Sequence, residues 1–289
     1  FGEENFVGTI VAITNRSGRD YGGIARTHEY ILCYQKSENL IINEIPKSND
    51  YKFPFYDELG GFEIRELRNR NVRFNITNRP NLYYPFYLNP REKDENGFYK
   101  ISLQKSPTYC VEVFPKKSNG IQTVWRWGKD KARENLNKNI VGKKIRDNEY
   151  QIVEKYRKNT KMLRSVIDEK GIITERGTEI IKSLFENKNL FDYPKSNELI
   201  KILLYLGTSY SNSDIILDFF AGSGTTGHAV MQLNAEDGGN RKFILVQIDE
   251  PIKEDKPAYK FCIENNLPPV ISSITIERLR RAGEKIKKE

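Results

Sequence analysis

Ile215-Ile216-Leu217-Asp218-Phe219-Phe220-Ala221-Gly222-Ser223-Gly224-Thr225-Thr226-Gly227-His228-Ala229-Val230-Met231-Gln232-Leu233 is the stretch on which the reading of this chain turns. Three apolar residues in succession predict a buried strand. The glycines predict a tight turn, and the run from Gly227 to Leu233 a helix. Asp218 places a carboxylate where the strand stops. Lys242 to Ile248, apolar on both faces through Phe243-Ile244-Leu245-Val246, predicts a second strand. Two strands joined by one helix predict a parallel βαβ unit. The unit lies more than two-thirds of the way along the chain. A nucleotide-type site of this kind usually opens its domain, so the domain is expected to be permuted or entered midway.

The glycines also satisfy the dinucleotide fingerprint, as Gly222-x-Gly224-x-x-Gly227. A pyrophosphate at such a turn is held by backbone N–H groups and the positive end of the helix. A carboxylate in the position of Asp218 repels phosphates and favours an ammonium group. A ligand that carries a positive charge and an adenosine suits the site, and S-adenosylmethionine is one. Phe219 or Phe220 offers apolar contact, Gly222 and Gly224 admit close approach of the backbone, and Thr225 and Thr226 are hydrogen-bond candidates at the helix start. The alternatives are a nicotinamide or flavin dinucleotide site and an ordinary βα turn whose aspartate caps the helix. Gln247, Asp249 and Glu250 are candidates for the ribose hydroxyls. Gln247 and Asp249 share a face if the strand runs on.

The 289 residues allow one large domain or two modest ones. A net charge of +8 favours nucleic acid or an acidic membrane surface as partner, with simple solubility as the plainer reading. No apolar run approaches the roughly 18 residues that a bilayer span needs, so no membrane role is expected. Cys33, Cys110 and Cys262 are odd in number and far apart, as in a reducing, cytoplasmic setting. With only His28 and His228 available, no metal site is expected. The chain opens at Phe1 with neither a methionine nor a signal-peptide pattern, and a longer parent protein is expected.

Phe6 to Ile13 and Glu29 to Tyr34 read as strands that pair antiparallel across a polar, Gly-rich loop. The middle region reads as mixed and strand-rich, with a basic helical segment around Lys129 to Lys143. Lys129 to Lys170 holds 13 Lys and Arg against 7 Asp and Glu, a net +6. Basic side chains interleaved with Trp, Tyr and Asn suit DNA, and Arg126, Lys129, Lys131 and Arg133 are the candidates for phosphate contact. A solvated helical face is the alternative. Leu199, Ile202, Leu203 and Leu206 have helical spacing, with Ser196 as the cap. Ile274 to Lys288 reads as a basic helix with Ile274, Ile276 and Leu279 on its apolar side. His28 is a candidate for approaching a target base or a structural histidine, and His228 is expected to pack.

The run Asp218 to Val230, continued by Leu233 to Gln247, closely resembles the Mod subunit of type III restriction-modification systems, the permuted β class of DNA adenine-N6 methyltransferases. Phe191-Asp192-Tyr193-Pro194-Lys195-Ser196 resembles the cofactor motif X of that family. Phe1 to Phe6 and Thr27 to Leu32 resemble its catalytic-half segments. Asn78 to Pro85 and Trp125-Arg126-Trp127 resemble its target-recognition region. The resemblance implies a Rossmann-like α/β methyltransferase sheet, permuted and incomplete, with an inserted mixed α+β recognition domain. Residues 1–40 would end the catalytic half, 41–190 would recognise DNA, and 191–289 would form the cofactor half. It implies S-adenosylmethionine held by Asp218, Phe219, Phe220, Ala221, Gly222, Ser223, Gly224, Thr225 and Thr226. Lys195, Ser196, Gln247 and Asp249 would complete that set. The implied partners are double-stranded DNA, a second Mod subunit and a Res helicase-nuclease.

Two departures bear on the site. Related methyltransferases often carry Glu where Gln247 stands. The catalytic (Asp/Asn)-Pro-Pro-(Tyr/Phe) tetrapeptide does not occur, since the one Pro-Pro pair, Pro268-Pro269, has neither the acid or amide before it nor the aromatic after it. In the family this tetrapeptide precedes the segment matched by Phe1 to Glu4, so it is expected upstream and the catalytic residues are unassigned. Two central strands would then be missing, leaving a gap between the strands near Thr9 and Tyr30 and those near Leu217 and Leu245. A non-catalytic DNA-recognition module is the remaining alternative.

Overall fold

The computed structural model describes residues 1–18, 22–48 and 51–288. Part of the expected Gly-rich loop, 19–21, lies outside the described residues. The chain divides into two compact units, Lys47–Asn159 and the combination of Phe1–Pro46 with Thr160–Glu289.

The unit Lys47–Asn159 is built on a seven-stranded antiparallel sheet. Its spatial order is Phe55–Asp57, Gly60–Glu66, Glu149–Tyr156, Ile140–Arg146, Tyr99–Ser102, Phe86–Lys93 and Val111–Val113. Phe86, Leu88, Ile101, Ile140 and Ile152 are buried on one face, joined there by Leu67, Tyr84 and Trp125. Trp125 Nε1 donates to the Tyr84 carbonyl at 2.7 Å and the Tyr84 hydroxyl to the Trp127 carbonyl at 2.9 Å, so the polar ends of these rings are satisfied inside the core. Gly142 is required by packing: a Cβ there would stand 2.3 Å from Leu88 Cδ1. The basic helical segment expected to reach Lys143 is shorter. Helix α1 (Lys129–Asn135) ends before Asn137, which takes φ 61°, and Ile140–Arg146 is a strand. The β-branched pair Ile140-Val141 fits the pleated, buried surface better than a helix face.

The other unit holds helices α2 (Thr174–Leu184), α3 (Asn197–Gly207), α4 (Thr225–Asp237), α5 (Pro257–Glu264) and α6 (Ile271–Ile286). Phe6–Ala12 pairs antiparallel with Glu29–Tyr34 and parallel with Val166–Ile167. Ile215–Asp218 pairs parallel with Lys242–Leu245, with α4 as the crossover. These two sets of strands lie in separate sheets. The strand at Leu217 was expected to be buried, and it is covered on one face only. Ile216, Phe243 and Leu245 turn toward the helices, while Ile215, Leu217, Ile244, Val246 and Ile248 are exposed. Alternate residues of a strand face opposite ways, and helices cover this two-stranded ribbon on one side only. Helix α4 packs against both α3 and α6. Lys201 on α3 ties the first pair by bonding Glu236 of α4 at 2.8 Å.

Candidate functional site

The strand Ile215–Asp218 delivers its terminal carboxylate to the glycine turn. One Asp218 oxygen accepts the Phe220 N–H at 3.0 Å and the other accepts the Thr226 hydroxyl at 2.6 Å. Each oxygen keeps acceptor capacity, and the residue is only half-buried. Gly222 and Gly224 take φ 52° and 79°, in the left-handed region where a side chain is strained. A Cβ at Gly224 would also stand 3.1 Å from Thr275 Cγ2. Phe219 and Phe220 are 63% and 90% exposed, so both rings are available to a ligand rather than held in the core.

Gln247 reaches the same turn. Its side-chain oxygen accepts the Gly222 N–H at 2.7 Å, and next to it the Val246 carbonyl accepts the Ala221 N–H at 3.1 Å. Asp249 goes elsewhere, accepting the Ser272 hydroxyl on α6. The strand has already ended at Leu245, so the shared face expected for Gln247 and Asp249 does not form. Ser196 caps α3 by accepting the Glu198 N–H at 3.1 Å and donates to the Gly171 carbonyl at 2.6 Å. The Lys195 ammonium pairs with Glu29 at 2.6 Å, while its carbonyl accepts the Thr225 hydroxyl at 3.4 Å. Asp218, Gly222, Ser223, Thr225, Thr226 and Gln247 therefore converge on one turn, and the Lys195-Ser196 segment adjoins it.

The sequence reading missed the underside of this turn. The Thr275 hydroxyl donates to the Gly222 carbonyl. Arg278 donates to the Ser223 carbonyl at 3.2 Å, Ser223 Oγ at 2.7 Å, Thr225 Oγ1 at 2.9 Å and Asn197 Oδ1 at 2.9 Å. Arg278 is fully buried, and no carboxylate lies within ion-pair distance of it among the described residues. Burial pulls its pKa down to about 10. Ile276, expected on the apolar side of α6, is instead 67% exposed. The buried side runs through Ile274, Thr275, Arg278 and Ala282. The i, i+3 spacing of Thr275 and Arg278 was a readable signal, masked by the basic character of the helix. His228 is buried beside them. Burial, then Arg278 and Lys285, push its pKa down to about 3, and its Nδ1 has no partner among the described residues.

His28 lies edge-on to Tyr30 and lines a cavity of about 650 Å³ with Thr14, Arg26, Glu29, Thr174 and Lys195. In the Lys47–Asn159 unit, all four candidates for phosphate contact already have partners. Arg126 bonds Glu154 at 2.6 Å, Arg133 bonds Asp130 at 2.7 Å, and the Lys129 and Lys131 ammonium groups lie 5.6 Å and 4.3 Å from the Tyr84 and Trp127 ring centres. Arg73 and Arg79 are not among those candidates, although Arg79 lies in the Asn78 to Pro85 stretch; both are exposed, and their guanidinium groups have no partner among the described residues. Asparagines shape their loop: Asn71 Oδ1 accepts the Arg73 N–H, Asn75 Oδ1 the Thr77 N–H, and Asn78 Nδ2 donates to the Arg73 carbonyl. No group of three or more His, Cys, Asp or Glu suited to a metal ion occurs among the described residues. No described helix is long and apolar enough to cross a membrane.

A parallel strand pair, a glycine turn and a carboxylate at the strand end define a nucleotide-type α/β site, and the chain that carries it belongs to the DNA methylase family (N6_N4_Mtase), which matches residues 2–257. Membership implies use of a methyl donor. The chain is 34% identical over 283 residues to the type II methyltransferase M.KpnI of Klebsiella pneumoniae, covering 96% of this chain and 63% of that protein. It is 33% identical over 270 residues to the Mod subunit of the type III restriction-modification enzyme EcoPI of Escherichia phage P1, covering 90% of this chain and 40% of the subunit. Against the EcoP15I Mod subunit of Escherichia coli it is 30% identical over 304 residues, covering 99% and 45%. The chain thus spans less than two-thirds of each of these relatives.

Proposed function

We propose that the chain is part of a DNA adenine-N6 methyltransferase, the modification and recognition subunit of a type III restriction-modification system, with S-adenosylmethionine as methyl donor. The observation that carries the reading is the Asp218 carboxylate, fixed by two hydrogen bonds beside a left-handed glycine turn. The donor set fits: an anion with free lone pairs for an ammonium, glycine backbone for close approach, and exposed Phe219 and Phe220 for apolar contact. A pyrophosphate would meet the same carboxylate at unfavourable range, which weighs against the dinucleotide alternative.

In this reading Asp218 holds the amino-acid end of the cofactor, and Thr226 keeps that carboxylate oriented. Gln247 shapes the turn through Gly222, and Asp249 remains a candidate for the ribose hydroxyls. When bound, the cofactor supplies an electrophilic methyl group. The acceptor nitrogen of adenine is a weak nucleophile, so orientation of a flipped base is the main requirement on the protein. The tetrapeptide that does this in the family is not among the 289 residues, and methylation is proposed to require it.

Residues 1–40, 41–190 and 191–289 are proposed as the end of the catalytic half, the recognition region and the cofactor half. The compact unit Lys47–Asn159 falls inside the middle segment, while 41–46 and 160–190 group with the rest of the chain. Double-stranded DNA, a second Mod subunit and a Res helicase-nuclease are the proposed partners. On the DNA face, Arg73 and Arg79 join Arg126, Lys129, Lys131 and Arg133 as contacts. Titration calorimetry tests the reading. S-adenosylhomocysteine should bind and NAD should not, and Asp218→Asn should weaken S-adenosylhomocysteine about tenfold or more while shifting the urea midpoint little. Binding of NAD in its place would overturn the assignment.

A further inference from the structure

The buried Arg278 is the least expected charge in the molecule. Taking a guanidinium out of water is unfavourable, and a nearby carboxylate normally offsets it. Here the acceptors are all neutral: the Ser223 carbonyl and hydroxyl, the Thr225 hydroxyl and the Asn197 amide oxygen. Its Nε has no partner among the described residues. An arginine kept under these conditions lowers global stability relative to an apolar side chain of similar volume. Its location explains what it does instead. Ser223 and Thr225 belong to the glycine turn, and Asn197 follows Lys195-Ser196, the second candidate cofactor segment. One planar, rigid fork therefore ties both segments to α6. Thr275, one helical turn earlier on the same side, takes the carbonyl of Gly222, and the Ala221 carbonyl accepts the Gly224 N–H at 2.7 Å. Three successive carbonyls, Ala221, Gly222 and Ser223, are thereby engaged within the protein, which leaves the turn with a single backbone path.

We infer that Arg278 is a positioning residue for cofactor binding: from beneath, it locks the glycine turn and the Lys195–Asn197 segment into one preformed cradle, assisted by Thr275. This rests on the cofactor reading given above, and Arg278 acts through the oxygens of the turn and of Asn197 without touching the ligand.

The test compares Arg278→Met, Arg278→Lys and Thr275→Val in the full-length protein with three measurements. They are the affinity for S-adenosylhomocysteine by calorimetry, the urea midpoint, and amide hydrogen exchange at Ala221, Gly222 and Gly224 in the ligand-free protein. Arg278→Met should weaken affinity at least tenfold and speed exchange of the turn amides at least tenfold, with the midpoint unchanged or raised. Arg278→Lys should recover part of both effects. Thr275→Val should shift both the same way by less, and it keeps the test open if the methionine variant does not fold. Turn exchange within twofold of wild type in all three variants would overturn the proposal. So would affinity and midpoint falling together with lysine no better than methionine. If the unaltered protein binds no S-adenosylhomocysteine, the cofactor reading fails by itself, and the exchange arm still decides whether Arg278 locks the turn.

Discussion

Among the buried cations of the described residues, Lys155 in one unit and Arg278 in the other differ in their surroundings. Lys155, in the sheet of the Lys47–Asn159 unit, has a side chain 5% exposed and lies 3.0 Å from Asp57 and 3.3 Å from Asp94. Arg157 joins it at 2.7 Å from Asp57. Arg278, beneath the glycine turn, has neutral acceptors alone. The first arrangement balances charge with charge, as a scaffold does when an ion has to be buried. The second leaves a positive charge uncompensated and uses its geometry to hold one backbone carbonyl and three side-chain oxygens of the turn and its neighbouring segment. Imbalance of this kind marks a place where the fold serves a site at the expense of stability.

The largest expected effect is on the balanced pair. Asp57→Ala leaves the Lys155 ammonium buried with one carboxylate and the Arg157 guanidinium with none. Removing one partner of a buried pair costs about 3–5 kcal/mol, and urea denaturation reads it directly. A loss below about 1 kcal/mol would erase the contrast with Arg278. The acid limb gives an independent check. Burial would raise the Asp57 pKa, but hydrogen bonds from Arg157 and Lys155 outweigh it and hold the group at about 2. Its folded pKa is depressed, so its contribution is full above the unfolded value near 3.8 and disappears as pH falls toward 2. That window should be missing in the alanine variant.

His228 sharpens the other side of the comparison. In the folded protein its imidazole stays neutral down to about pH 3, held there by burial and by the cations Arg278 and Lys285. The unfolded chain takes up a proton below about 6.5. Stability is therefore intact above pH 6.5 and declines as pH drops from there toward 3, by about 1.4 kcal/mol per unit. Between pH 7 and pH 5 the wild type should lose about 2 kcal/mol more than His228→Gln. Parallel stability curves would mean that the buried imidazole takes up its proton over the same pH range as in the unfolded chain.

Much of the site was legible because local sequence and tertiary structure agree there. Apolar Ile215 to Leu217, the glycines and the apolar run after them specify strand, turn and helix with little tertiary help. Ser196 caps α3 as its neighbours indicate. The illegible parts depend on distant residues. Beyond its i, i+3 spacing from Thr275 on a basic helix, little around Arg278 announces that it faces inward, because only the fold brings Ser223, 55 residues away in sequence, beneath it. Ile276 misled the reading of α6 because two isoleucines and a leucine suggest an apolar face that packing rotated by one position. The basic segment after Trp127 was read as one helix because charge counts do not register Gly142 packing on Leu88. Long-range partnering is equally invisible in sequence: Arg126 looks available until Glu154 is seen beside it, while Asp130 sits three residues before Arg133 on the same helix.

That last point yields the smallest expected effect and separates two kinds of arginine on the proposed DNA face. A side chain already bonded to a carboxylate has to break that bond, or carry its negative partner toward the phosphates, before it can neutralise one. Arg73 and Arg79 have no such partner, and the asparagine bonds that shape their loop reduce the entropy lost on binding. Each free cation on a phosphate contributes about 0.9 to the slope of log affinity against log salt, which is about fivefold in affinity near 0.15 M salt. Arg73→Ala and Arg79→Ala should therefore each lower the slope by about 0.9, while Arg126→Ala and Arg133→Ala should each change it by less than half as much. Slopes measured by fluorescence anisotropy on one duplex between about 0.05 and 0.2 M salt decide the matter. Equal slopes for all four variants would mean that the intramolecular pairs open on DNA and that partnering in the free protein says nothing about the interface. The reverse order would move the contact surface to Arg126 and α1.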